Sequence, residues 1–500
     1  MYTMKRIVYT PVLLILNLIA LSACNKWFDV TPVSEVRDEQ HFKTVKGFQQ
    51  SLTGCYIALS EYDLYGRDLS WFLPEMMAHQ YRDPVTETDR AIFNHNYREK
   101  TVFNRVEGIW NKLYNVIVNA NDALIKLEER KSILTPMEYA IIKGEFLAIR
   151  AYVHLDLLRY FGYGGYSIRV EELSKKPSIP YVTGLSKEPV KQFTGAELYN
   201  ALMKDLDEAA TLLKEYDPIV SDGHNDELKE INVEGYYNNR SLKLNYYAVR
   251  ALQARVAMWF GTPEAMDKAF EAASEVVAAS EANTLVKNPN IKTVVRLQQA
   301  YEISINNCSF TTEALFALDV PKLDDYTQQY FKINPDNWDS SALVFTPERI
   351  KQLFSGNEAD VRLSKVLIKN SALTYTSLKY ASRDQINNRI NMIRLPEVYF
   401  ILADARLHKK DKKGAIDLLN TIRRLRGISD NIDEQTEEEE VRKLIFGEYE
   451  REFTCEGVLF FQQKRLALEV IPQLSEGQKM GDTQYLLPFP DLENSYGRIQ

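Results

Sequence analysis

Amphipathic segments at helical spacing, several of them opened by threonine followed by proline or glycine, constrain this chain more than anything else in it. Between Val106 and Leu127, apolar residues recur at Val106, Trp110, Leu113, Ile117 and Leu124, with Ile109, Tyr114 and Val118 beside them. That spacing builds one wide apolar face on a helix. Thr135-Pro136 opens a second helix, where Tyr139, Ile142, Phe146, Ile149, Tyr152 and Val153 share a face before Gly162-Tyr163-Gly164-Gly165 stops it. Two such helices joined by a short loop make a hairpin.

The same shape recurs. Thr194-Gly195 precedes a helix carrying Leu198, Leu202, Leu206, Ala209 and Leu213; Leu244 to Phe260 is another, followed almost directly by Ala265 to Ser280. Leu395 to His408 and Ala415 to Leu425 form the clearest pair, with Ala403, Ala405 and Ala415 allowing close approach. Thr436 reads as a cap, and Glu437 to Glu440 as an acidic first turn of a helix running to about Phe453. The expected fold class is mainly α: a tetratricopeptide-like frame of helical hairpins with long irregular loop insertions. A generic helical bundle is the alternative. Residues 61–104 and 282–392, rich in Asp, Asn, Tyr, Pro and Gly, read as the insertions, with a short strand inside Thr312 to Val320.

At the N-terminus, Lys5 and Arg6 precede an apolar run, Val12 to Leu21, that is shorter than the roughly 20 residues needed to span a bilayer and contains Asn17. Leu21-Ser22-Ala23-Cys24 closes it and resembles a bacterial lipobox, so Cys24 is expected to become the lipidated first residue after removal of a signal peptide, 1–23. An ordinary secretory cleavage near Ala23 and an uncleaved anchor are the other readings. Removing Lys5 and Arg6 takes the formal charge from −8 to −10, which argues against nucleic acid. Residues 25–44 read as an extended lead-in, and Cys55, Cys308 and Cys455 as small core residues rather than a disulfide set.

Signatures of chemistry are missing. The six histidines, at 41, 79, 95, 154, 224 and 408, include no pair at zinc-helix spacing, and His154 reads as a satisfied structural histidine. No Gly-x-Ser-x-Gly, phosphate-binding loop or dinucleotide fingerprint occurs. Paired carboxylates for glycoside hydrolysis stay open, since their separation is spatial.

The C-terminal stretch Phe446-Gly447-Glu448-Tyr449-Glu450-Arg451-Glu452-Phe453, with Glu456-Gly457 and Phe460 to Arg465, resembles the SusD/RagB family. So do Gly144 to Tyr152 with Asp156 to Gly162, Arg394 to Tyr399 with Ala403-Asp404-Ala405, Leu419 to Arg423, Leu486 to Pro490 with Glu493, and Cys24 with Phe28-Asp29 and Pro32. Where the family's late motif usually reads Glu-Gly-His-Arg-Trp-Phe-Asp, this chain has Glu456-Gly457-Val458-Leu459-Phe460-Phe461-Gln462, a divergent version. The resemblance implies one domain, 24–500, with a helical frame over about 45–280, an insertion over about 282–392 and a helical part over about 393–500. It implies a surface lipoprotein without catalysis, which binds a glycan, or in some branches a peptide, for a TonB-dependent outer-membrane barrel; no cofactor and no metal ligand is assigned, and metal binding stays open because Asp and Asn are abundant in every loop. A lipid-anchored glycan hydrolase is the remaining alternative. Within the two long loop regions the candidate ligand contacts are Trp338, Tyr81 and Trp71, then Arg82, Asp83, Tyr326 and Tyr330, because aromatic faces suit the C–H face of a sugar and polar neighbours its hydroxyls. Trp27, Trp110 and Trp259 are assigned to packing or to the tether side. Each candidate ring is equally open to being buried packing.

Overall fold

The computed structural model describes residues 40–495 except 187, 332–341, 356, 371–372, 381–387 and 475. Cys24, Trp27, Phe28, Asp29, Pro32 and Trp338 lie outside the described residues, as does most of the 25–44 lead-in.

The main helices are α1 (Val45–Leu59), α2 (Leu73–Met77), α3 (Glu87–Phe93), α4 (Lys100–Glu129), α5 (Pro136–Phe161), α6 (Gly195–Tyr216), α7 (Tyr246–Phe260), α8 (Pro263–Glu281), α9 (Leu395–His408), α10 (Lys412–Leu425), α11 (Glu438–Glu452) and α12 (Leu459–Arg465). Their starts follow local chemistry. Thr135 and Thr194 each close a capping box with the glutamate three residues on, Glu138 and Glu197, while Asn245, Thr262 and Asp411 cap α7, α8 and α10 through side-chain oxygens. Such a cap stabilises a helix by about 1 kcal/mol, because it satisfies an amide that the helix leaves unpaired. At α11 the structure corrects the sequence reading: Glu437, not Thr436, stands at the cap position. Thr436 contributes its carbonyl to Lys412 Nζ, 2.8 Å away.

Each long helix packs on its neighbour in a series: α1 on α4, α4 on α5, α5 on α6, α6 on α7, α7 on α8, α8 on α9, and α9 on α10 and α11. The helical hairpins read from the sequence are therefore joined into one array around an apolar core that runs from Phe42 to Leu487. Trp110 and Trp259 are buried in it. Cys55, Cys308 and Cys455 are buried and unbridged. His154 is satisfied on both ring nitrogens, by the Arg150 carbonyl at 2.8 Å and the Val182 amide at 2.9 Å. It stacks on Tyr181, and burial pulls its pKa down to about 3.

The two long stretches between the helices depart from the loop expectation. Residues 61–104 hold a π-helical turn, Asp68–Phe72, then α2 and α3; residues 282–392 hold helices Leu323–Phe331 and Pro347–Phe354 and most of the strands. Strands β1 (Pro177–Pro180) and β2 (Gln192–Thr194) pair antiparallel, as do β4 (Leu367–Lys369) and β5 (Tyr375–Ser377). The strand expected inside Thr312 to Val320 is β3 (Ala314–Asp319), paired with β6 (Arg389–Arg394), which runs straight into α9. Part of the aromatic and polar content of these two stretches packs inward, Trp71, Tyr81, Tyr330, Tyr380, Arg349 and Arg362 among it.

A buried ionic hub fixes the insertion to the frame. Glu448, Glu452 and Glu456 stand four residues apart, so on α11 and the turn beyond it they meet the insertion together. Glu452 accepts from Arg394 Nη1 at 2.7 Å, Arg426 Nε and Nη2 at 2.9 and 2.8 Å, and Arg362 Nη1 at 3.0 Å. Arg362 also pairs with Asp360 and Glu448, Arg394 with Glu313 and Glu456, Arg426 with Glu313, and Lys379 with Glu456. The ring of Phe310 lies between the Arg394, Arg426 and Lys379 cations. Just beyond, Gly457 stands at φ +71, and its amide and that of Cys455 donate to Glu75 on α2 at 2.8 and 3.1 Å.

Candidate functional site

The first insertion turns sharply after α1, and this turn sets the site. Arg67 is buried except for its edge: Nε donates to Asp68 Oδ1 at 2.7 Å and Nη1 to the Tyr62 hydroxyl at 2.6 Å. Its guanidinium lies 4.0 Å from the centroid of the Tyr62 ring and 4.8 Å from that of Phe72. Asp68 is closed off from solvent, 3.9 Å from Arg105, and burial pushes its carboxyl up against the pull of both arginines. The Tyr62 hydroxyl also meets that of Tyr330 at 3.3 Å, and burial together with this contact raises its pKa to about 12. The phenol therefore keeps its proton and stays a hydrogen-bonding group at neutral pH.

Helix Leu323–Phe331 supplies the other wall. Tyr326 and Tyr330 are one turn apart and so share a face. Tyr326, half-buried, meets half-buried Tyr62 edge to face with ring centres 4.9 Å apart. Behind them Tyr330, Phe331, Trp71 and Tyr380 interlock: the Trp71 ring lies 5.0 Å from Tyr330 and 5.3 Å from Phe331. The rim on the α4 side carries Lys112, bonded to Glu61 at 2.6 Å and Asp63 at 2.7 Å. The arrangement is a rigid aromatic edge with an arginine beneath it and charged groups at the border. Such an edge binds by stacking and hydrogen bonding; nothing in it is set up as a nucleophile with its base.

The structure brings Trp71, Tyr81, Tyr326 and Tyr330 together but divides their roles. Trp71 and Tyr81, with 0% and 1% of their surface exposed, present no face to a ligand, which corrects both expectations. They are packing residues for a physical reason: their large rings gain most from full burial, and Tyr81 spends its hydroxyl on the Trp71 carbonyl at 2.8 Å. Tyr330 is mostly floor, its hydroxyl alone reaching the Tyr62–Arg67 edge. Tyr326 stands at the rim. Arg82 and Asp83 are exposed; the Arg82 amide donates to the Val344 carbonyl at 2.7 Å, and Asp83 faces Arg90 at 3.6 Å. Trp338 lies outside the described residues.

Sequence reasoning missed Tyr62 and Arg67. A signal was present: Tyr62 falls between two acids, Glu61 and Asp63, just after a helix end. Among the described residues, no group of three His, Cys, Asp or Glu side chains is arranged to hold a metal ion, and no helix is long and apolar enough to cross a membrane.

Comparison with known proteins bears on this geometry. A family model described as "Starch-binding associating with outer membrane" matches residues 26–220, and one described as "SusD family" matches residues 356–489. The chain is 28% identical over 153 residues to SusD-like protein P38 of Formosa agariphila, a match spanning 30% of this chain and 28% of that relative's length. Among solved structures, a SusD superfamily protein from Bacteroides thetaiotaomicron is 23% identical, with 91% of this chain and 99% of the other covered at a TM-score of 0.69. Surface glycan-binding protein A from the same organism, solved in complex with laminarihexaose, is 14% identical, with 91% and 98% covered at a TM-score of 0.63. At these identities the structural likeness establishes a shared fold.

Proposed function

Since the chain belongs to the SusD/RagB family, we propose that it is a non-catalytic lipoprotein, held at the outer membrane by acyl chains on Cys24, that binds a glycan and hands it to a TonB-dependent barrel. The observation that carries the ligand class is the Tyr62–Tyr326 edge above Arg67. A sugar ring offers C–H bonds on its flat face, which the negative faces of aromatic rings attract, while its hydroxyls need fixed donors and acceptors. Tyr62 and Tyr326 give the first and the Arg67–Tyr62–Tyr330 hydrogen-bonded group the second. The pre-packed floor of Trp71, Phe72 and Tyr330 means that little ordering is needed on binding. Trp338, in the same insertion by sequence, is kept as a third ring to test by substitution. The solved complex of surface glycan-binding protein A with laminarihexaose lends support at the level of a shared fold.

The test is calorimetry and affinity electrophoresis of the protein against a polysaccharide panel, beside Tyr326→Ala, Tyr62→Ala and Trp338→Ala. Retention by one polysaccharide, weakened at least about tenfold in two of the variants with folding intact, is the expected result. No retention by any glycan refutes the ligand class and shifts weight to peptides. Steady release of reducing ends, abolished by replacing one carboxylate, refutes the absence of catalysis.

A further inference from the structure

A second cleft lies away from the Tyr62–Tyr326 edge and shares no residue with it. It has a volume of about 440 Å³, within the usual range for small-ligand sites. Its walls come from the C-terminal end of α5, the β1–β2 pair, residues 95–98 and the closing segment 483–494. Those walls are firmly tied: the Leu487 amide donates to the Tyr160 carbonyl at 3.1 Å, the Tyr97 hydroxyl to the Gln484 carbonyl at 2.7 Å, and His95 bonds the Met77 carbonyl at 2.9 Å.

The chemistry of the lining is specific. Phe161, Tyr163 and Phe489 supply rings, the planes of Phe161 and Phe489 inclined by 29° with centres 6.3 Å apart. Asn96, Gln192 and Asn494 supply carboxamides. Gln192 is 92% buried, and its amide nitrogen has no hydrogen-bond partner in the protein. A buried donor left in that state is costly unless something that enters the cleft accepts from it. Among the described residues no Asp or Glu lines the cleft, and the one permanent cation among them, Arg98, stands 3.9 Å from Asp491. Burial pulls the pKa of His95 down to about 4, so that ring is neutral under ordinary conditions.

An anion would require unpaired cations and a cation would require carboxylates; this lining has neither. Carboxamides both donate and accept, as hydroxyls do, and the adjacent rings suit a compact C–H face. We propose that this cleft is a second binding site, for one or two residues of a neutral sugar, distinct from the glycan site proposed above.

The full-length protein in detergent is titrated with neutral monosaccharides and their methyl glycosides by saturation-transfer NMR. The variants are Gln192→Leu, which removes the amide at nearly constant volume, and Asn96→Ala at an exposed position, with Tyr326→Ala as the control for the first site. At least one sugar is expected to bind saturably, about tenfold more weakly in Gln192→Leu and Asn96→Ala and unchanged in Tyr326→Ala, while polysaccharide retention is unaffected by the first two. Absence of binding by every sugar overturns the proposal, as does binding indifferent to both cleft variants. Binding lost in Tyr326→Ala instead assigns the sugar to the first site and overturns it equally. Loss of polysaccharide retention in Tyr326→Ala is read separately, so the two sites fail independently.

Discussion

Replacing Glu452 by Gln tests the ionic hub directly. The side chain is fully buried and takes four hydrogen bonds from three arginines, at 2.7–3.0 Å. Around it Arg362, Lys379, Arg394, Arg426, Arg423 and Arg451 face Asp360, Glu313, Glu448, Glu452 and Glu456, six cations against five carboxylates. The variant keeps the shape but leaves two cations in excess, and its amide hydrogens point toward guanidinium hydrogens. Summing the four charge-assisted bonds at about 1.5–3 kcal/mol each overstates the loss, because Glu313 and Glu456 continue to serve Arg394 and Arg426. Removing one partner from a buried ion group costs about 3–5 kcal/mol, and that is the expected range. The assay is urea denaturation of wild type and variant, followed by circular dichroism. Although burial opposes its charge, Arg426 and Arg394 hold the Glu452 carboxyl well below the usual range. A carboxyl depressed in the folded state contributes stability above its unfolded pKa and loses it as pH falls through the folded value. The two denaturation midpoints should therefore converge in acid. A loss under about 1 kcal/mol at neutral pH, or a gap that widens in acid, would refute the reasoning.

Three further outcomes follow from named contacts. Burial pushes Glu75 up to about 7, against the Gly457 and Cys455 amides; a carboxyl raised in this way stabilises most below pH 4.5 and loses its contribution as pH climbs through 7. Glu75→Gln should therefore gain on wild type across that window by up to about 3 kcal/mol, read from denaturation midpoints against pH, and a flat difference would count against it. Gly457→Ala puts a Cβ 2.3 Å from the Ser70 carbonyl oxygen at φ +71, so destabilisation of at least about 1–2 kcal/mol is expected; an unchanged melting temperature would contradict that backbone placement. Cys24→Ala should move the protein out of the outer-membrane fraction into the soluble periplasmic or inner-membrane fractions, and unchanged fractionation would dispose of the lipid anchor.

The frame was legible because helix periodicity and caps are local. Thr135-Pro136 and Thr194-Gly195 marked two helix starts to the residue, and Leu395 to His408 was read with its observed ends. The short helices and strands inside the insertions were not legible because their polar, Pro- and Gly-rich composition carries no long helical period. Arg362, Arg394 and Glu313 are buried only because partners from Glu448 to Glu456 meet them in space, and no short window of sequence contains both sides. The site was half-legible for a related reason. The candidate edge falls in the first long stretch, but Trp71, chosen there as a loop aromatic, is fully buried, and Tyr62, which stands at the edge, carries no motif that singles it out.

The placement of the hub's acids bears on how such a chain is made. Arg362, Lys379 and Arg394 precede Glu448, Glu452 and Glu456 along the chain. Until the ribosome has delivered those three glutamates, the cations lack most of their counter-ions and cannot be withdrawn from water without large cost. Closure of the insertion therefore waits until synthesis has passed Glu456.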